Sequence, residues 1–188
     1  MSSSNRVYPH TIAKRLFFFS RFNSDETVFV DPVICPYATK KALQDNLLMF
    51  YTGTTRRASD ILQEQQASTD RKMEVLTRMK DLCADLLEVL KEGRSLNRFG
   101  EILHQAWGLK RSLVDSISTD SINDHYERAR KAGAIGGKLL GAGGGGFLLF
   151  YVEPQNQGRV RDALDHLREL PFRFEPQGSK VIYISDDT

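Results

Sequence analysis

A chain of 188 residues with 40% hydrophobic and 27% charged side chains is long enough to bury about two-thirds of its unfolded surface in one core, and too apolar to remain disordered. Its formal charge of +2 gives no reason to expect nucleic acid or another polyanion as a partner.

The chain opens with an apolar patch, Leu16-Phe-Phe-Phe19, far too short for a signal h-region or a membrane span. Thr27 to Ile34 is β-rich and bounded by Pro32 and Pro36, which suits an edge strand or an extended arm. Asn46 to Thr52 reads as a buried strand, a short apolar run ended by Gly53. From Thr55 the period becomes helical, with Ala58, Ile61, Leu62 and Gln65 on one face. Val75, Met79, Leu82, Cys83, Leu86 and Leu90 mark a second helix that Gly93 ends. Ser95 is expected to cap a third, whose stripe runs Phe99, Ile102, Leu103, Ala106, Trp107, Leu113, Val114 and Ile117. A fourth follows Thr119 or Asp120 and uses Ile122, Tyr126 and Ala129. Lys138-Leu-Leu and Phe147 to Val152 read as two strands of a hairpin. Val160, Ala163, Leu164 and Leu167 then give a fifth helix, Gly158 to Leu170, stopped by Pro171. Val181 to Ile184 closes the chain as a strand. This order of strand, helices, hairpin, helix and strand predicts an α+β sandwich, with helices on one face of a mainly antiparallel sheet.

Eight of the fourteen glycines fall between Gly133 and Gly146. A loop so poor in side chains lets backbone approach a ligand or another loop closely and aim its N–H groups. A flexible linker fits poorly, because strands flank the glycines. A Walker A loop is excluded, because no Gly-Lys-Ser/Thr follows and the next element is a strand. Cys35 and Cys83 are the only cysteines and have no paired spacing, so reduced thiols in a cytoplasmic protein are expected, with no membrane association.

The run Lys138-Leu-Leu-Gly-Ala-Gly-Gly-Gly-Gly146-Phe resembles the third motif of the GHMP kinases, a family of small-molecule kinases. Phe50-Tyr-Thr-Gly-Thr-Thr-Arg-Arg-Ala-Ser59, Phe99-Gly-Glu-Ile-Leu-His-Gln-Ala-Trp107 with Lys110 following, and Gly178-Ser-Lys-Val-Ile-Tyr183 extend the likeness to the sugar-kinase branch, nearest its heptose 7-phosphate kinases. It covers about Arg21 to Ile184. Residues 1–20 form an atypical segment outside it, and 21–188 a domain similar to the C-terminal half of such a kinase. The resemblance implies a ferredoxin-like C-terminal domain, and ATP with Mg2+ as the phosphoryl donor. It also implies a sugar phosphate as acceptor. The family's N-terminal phosphate loop, Pro-x-x-x-Gly-Leu-Gly-Ser-Ser, does not occur in the 188 residues. The expectation is therefore a substrate-binding module that is inactive alone, and ATP and Mg2+ are expected to require that other domain. A separate N-terminal kinase domain or a second copy of the chain remains as a further partner. The alternative is a non-catalytic ligand-binding protein or a subunit of a split kinase.

Three groups of residues are candidates for the site. At Tyr51-Thr-Gly-Thr-Thr-Arg-Arg57 a strand ends and a helix begins, so Thr54, Arg56 and Arg57 suit an anion, for which the resemblance offers the substrate's phosphate. Lys110 falls at the centre of an apolar helical stripe, where its amine must be paired, snorkel to water, or reach into a cleft. His104, beside that stripe, is expected to pack or hydrogen-bond rather than act as a base. The resemblance implies that Lys138, Gly141, Ala142, Gly143, Gly144, Gly145 and Gly146 line the cleft. Leu140 stands where many relatives carry Ser or Thr, so no hydroxyl contact carries over there. No residue is assigned to catalysis or to a metal.

Overall fold

The computed structural model describes residues 18–54 and 72–174. The chain divides into two units, residues 1–34 with 173–188, and Cys35–Phe172.

In the first unit, β1 (Phe18–Phe22) pairs antiparallel with β2 (Val28–Pro32), Phe18 opposite Pro32 and Phe22 opposite Val28. The turn between them is held by side chains: Asp25 accepts from the Thr27 amide (3.1 Å) and hydroxyl (2.6 Å), while Glu26 takes a φ of +64°. The β-rich character of Val28 to Pro32 was visible in the sequence. Its partner was hidden in the apolar patch at Phe18 and Phe19.

The second unit carries a four-stranded sheet, order β4-β5-β3-β6, from β3 (Leu47–Tyr51), β4 (Gly136–Leu139), β5 (Phe147–Tyr151) and β6 (Arg168–Glu169). Every pairing is antiparallel, with Leu48 opposite Phe150, Phe50 opposite Leu148, and Leu139 opposite Leu148. These residues therefore share one face of the pleat. Among the described residues five helices accompany the sheet: α1 (Tyr37–Asp45), α2 (Met73–Glu92), α3 (Asn97–Arg111), α4 (Asp120–Ala132) and α5 (Pro154–Ala163). Ile122 and Tyr126 of α4, Val160 and Leu164 at α5, and Trp107 of α3 complete the core against the sheet residues. The mixed arrangement of helices and antiparallel sheet is the one expected. No helix of the described residues is long and apolar enough to cross a membrane.

The strongest helices form where the apolar stripes predict them. Gly93 and Gly133 end α2 and α4 in the left-handed region, with φ of +66° and +116°, conformations that cost glycine nothing. Thr119 caps α4 by accepting from the Ile122 amide.

Three expectations need correction, and one helix was not foreseen. Ser95 does not cap α3 through its side chain; its backbone carbonyl instead accepts from the Arg98 amide in a tighter turn, and Leu96 holds the cap position. The stripe through Leu113 and Ile117 does not continue the helix, which ends at Arg111. Val114 is extended there, and Asp115–Ile117 forms a 3-10 turn that still buries Ile117. Lys72 stabilises this end by donating to the carbonyls of Ser112 and Leu113. The fifth helix starts earlier, with Pro154 in its first turn, and ends at Ala163, because Arg168 and Glu169 leave to pair with β3. Finally, α1 was not foreseen, since its sequence buries only Thr39 and Leu43. The helix expected from Thr55 and the strand at Val181 to Ile184 lie outside the described residues.

Candidate functional site

The glycine loop joins β4 to β5, and two other segments hold it. At its base, the Gly146 amide donates to Thr54 O (2.8 Å) and to Thr52 Oγ1 (3.1 Å), while the Thr52 amide and hydroxyl both donate back to Gly146 O (2.9 and 3.0 Å). At its centre the Gly144 amide donates to Ile117 O (2.9 Å), fixing the loop to the 3-10 turn. A Cβ on Gly143 would lie 2.9 Å from the Ile117 backbone, and one on Gly145 2.6 Å from Thr54 O. Gly143, Gly144 and Gly146 also take φ of +136°, +71° and +112°. Close packing thus accounts for much of the glycine content.

Gly141 is different. Its φ is +84°, yet a Cβ there would meet nothing within 4 Å. Its carbonyl is instead the acceptor for Lys110 Nζ, at 2.6 Å. The lysine stem runs from the end of α3, and its amine is neither free in water nor lost in the core. Burial, and then the neighbouring Lys138, pull the Lys110 pKa below the ordinary lysine value. An ammonium offers three donors, and this bond uses one. Two partly buried cations held beside an open loop tip favour an anion, because bound negative charge relieves both their repulsion and their desolvation.

Of the sequence candidates, the structure sets Thr54 against the loop's base and Lys110 against its tip, with Lys138 on the strand leading in. Arg56 and Arg57 lie outside the described residues. Thr52 was missed as a site residue. Its signal was a hydroxyl at the end of an otherwise apolar strand, and it is now 7% exposed with its hydroxyl bonded into the loop. His104 is paired with Tyr126, Nδ1 to hydroxyl 2.8 Å, and the same hydroxyl donates to Gly137 O (3.4 Å). Burial pushes the Tyr126 phenol up to about 12 and, ahead of the Arg130 charge, pulls His104 down. The pair therefore stays neutral as a packed polar contact. Away from Lys110, which is not among its lining residues, Arg78, Asp81 and Leu82 of α2 and Gln105, Gly108 and Leu109 of α3 line a groove of about 420 Å³.

These residues fit a phosphate group. Among the described residues no three His, Cys, Asp or Glu side chains group together as a metal site.

Residues 79–169 match the family model for GHMP kinases, C terminal. The chain is 27% identical over 168 residues to the D-glycero-alpha-D-manno-heptose 7-phosphate kinase of Campylobacter jejuni, covering 87% of this chain and 49% of that one. It is 28% identical over 149 residues to the mevalonate kinase of Pyrococcus horikoshii, covering 74% of this chain and 44% of the relative. The chain thus spans about half the length of the curated relatives it matches. A solved structure of a sugar kinase from Campylobacter jejuni shares the fold, with a TM-score of 0.64 at 24% identity over 86% of this chain and 46% of its own. Sequence motif, domain match and fold agree on residues 79–169, which match the C-terminal domain of the GHMP kinases.

Proposed function

We propose that this domain is the acceptor-side wall of an ATP-dependent sugar kinase, and that its substrate is a phosphorylated sugar of the heptose phosphate class. The observation that carries the reading is the Lys110 ammonium, fixed on the Gly141 carbonyl with Lys138 beside it. Phosphoryl transfer relies on positioning and on neutralising negative charge. Lys110, bonded to the Gly141 carbonyl, supplies fixed positive charge at the loop tip with the Lys138 charge nearby on β4, and the bonds from Thr52 and to Ile117 hold the loop rigid enough for the Lys110 charge to be preorganised. Thr54, Arg56 and Arg57 are assigned to the acceptor's phosphate.

ATP with Mg2+ supplies the transferred phosphoryl group when bound. The phosphate loop needed to hold it is absent from the 188 residues. The domain therefore acts together with a phosphate-loop half, on the same chain or another, and the 188 residues by themselves are expected to show no turnover. A cytoplasmic location belongs to the same proposal.

The test is to combine the chain with a phosphate-loop half of a related heptose kinase, supply Mg-ATP and a panel of sugar phosphates, and follow product by mass spectrometry. Lys110→Met keeps the apolar stem and should leave melting unchanged while lowering kcat/KM at least tenfold, about 1.4 kcal/mol. Unchanged kinetics would remove Lys110 from the site. Turnover by the 188 residues alone would overturn the need for a second half.

A further inference from the structure

A second polar cluster lies where α4 meets the segment between α5 and β6. His125 Nδ1 and His166 Nε2 face each other at 3.1 Å, with ring centroids 5.0 Å apart and planes inclined by 46°. The nitrogen of each ring that points away from this gap has an oxygen beside it. His125 Nε2 is 3.0 Å from Ser121 Oγ, and His166 Nδ1 is 3.6 Å from Asp165 Oδ1. We infer that His125 and His166 form a two-imidazole site for a first-row divalent ion of the Zn2+, Ni2+ or Cu2+ class, with water filling the other positions.

The distances support this. Two imidazole nitrogens bound to one ion at about 2.0–2.1 Å stand about 2.9 Å apart at a right angle and about 3.4 Å apart at the tetrahedral angle. The observed gap lies between these values, so binding needs ring rotation and no movement of the backbone. The core sets that gap: Ile122 and Tyr126, flanking His125, and Leu164, near His166, are 1% exposed or less. Tautomers also allow it. Without an ion, one inner nitrogen donates to the other; with an ion, both inner nitrogens present lone pairs and both outer nitrogens carry N–H toward Ser121 and Asp165. Only one ring changes tautomer, and two neutral rings lose no net proton. Ligating histidines commonly donate their other N–H to an oxygen in this way. Imidazole favours borderline ions over Mg2+, so the site is chemically distinct from the phosphoryl-transfer site.

Isothermal titration of the full chain with Zn2+, and separately with Ni2+, in a non-coordinating buffer tests the assignment, with thermal melts at each ratio. One ion per chain should bind, melting should rise, and His166→Gln should weaken binding at least tenfold. His166 is 40% exposed, so this variant should retain the fold, and circular dichroism checks that it does. His125→Gln should match it, whereas His10→Gln and Cys83→Ser should bind as the parent does. Saturable binding that His166→Gln leaves unchanged, equal binding of Mg2+, or no binding of either ion at millimolar concentration would each reduce the pair to a hydrogen bond between α4 and the segment before β6.

Discussion

Two positions in the glycine-rich segment, Gly136 and Gly141, use glycine for opposite reasons. At Gly136 a Cβ would sit 1.8 Å from the Gly100 carbonyl oxygen, so absence of a side chain is what allows α3 to lie on β4. At Gly141 the surrounding space is open, and only the positive φ and the lysine bond to its carbonyl distinguish the position. The first glycine makes the fold; the second leaves room at the site.

Substitutions separate the two. Gly136→Ala should be the most damaging, because the obstructing atom is backbone and cannot rotate away. A loss above about 3 kcal/mol is expected, seen as a fall of roughly 10 °C in melting temperature. Gly145→Val should cost about 2–3 kcal/mol, since its Cβ would press on Thr54 O at 2.6 Å. Gly141→Ala should cost only about 1 kcal/mol, through its φ of +84° alone. If Gly136→Ala melts no lower than Gly141→Ala, the distinction between packing and open glycines is wrong.

The smallest effect concerns pH. His104 lies behind the segment, and burial, followed by Arg130, lowers its folded-state pKa below 6.5. The unfolded chain therefore takes up this proton first on acidification. Stability contributed by the neutral ring is complete above about pH 6.5 and declines as pH falls toward the lowered folded value. Melting temperature measured from pH 7 to 5 should fall less steeply in His104→Gln than in the parent. Equal slopes would show that the ring takes no part.

What the sequence displayed followed from how strongly each element is specified locally. The stripes of α2 and α4, the Gly93 stop of α2 and the hairpin around the glycine run each stand out locally through a regular period or a stop signal. By contrast, α1 buries two residues, and its helical character depends on docking rather than on pattern. The end of α3 was obscured because Leu113 and Ile117 remain buried after the helix stops, so burial outlasts the period. At the site, Lys110 was conspicuous as a charge in an apolar stripe. Its acceptor was not, because a backbone carbonyl carries no mark in the sequence. Thr52 and Ile117 escaped for a similar reason, one bonding through a hydroxyl in an apolar strand and the other through its main chain.

The contact between Gly100 and Gly136 also acts as a gauge. From Gly100 to Lys110 the helix advances ten residues, roughly 15 Å, while five residues of strand and loop from Gly136 to Gly141 advance roughly 16 Å. The two paths start together at the glycine contact and meet again at the lysine–carbonyl bond. A single residue inserted into α3 between these points would shift Lys110 by about 1.5 Å and turn it by about 100°, off the loop altogether. The length of α3 from Gly100 onward is therefore constrained by the reach of one ammonium group, and helix and loop can change length in this domain only together.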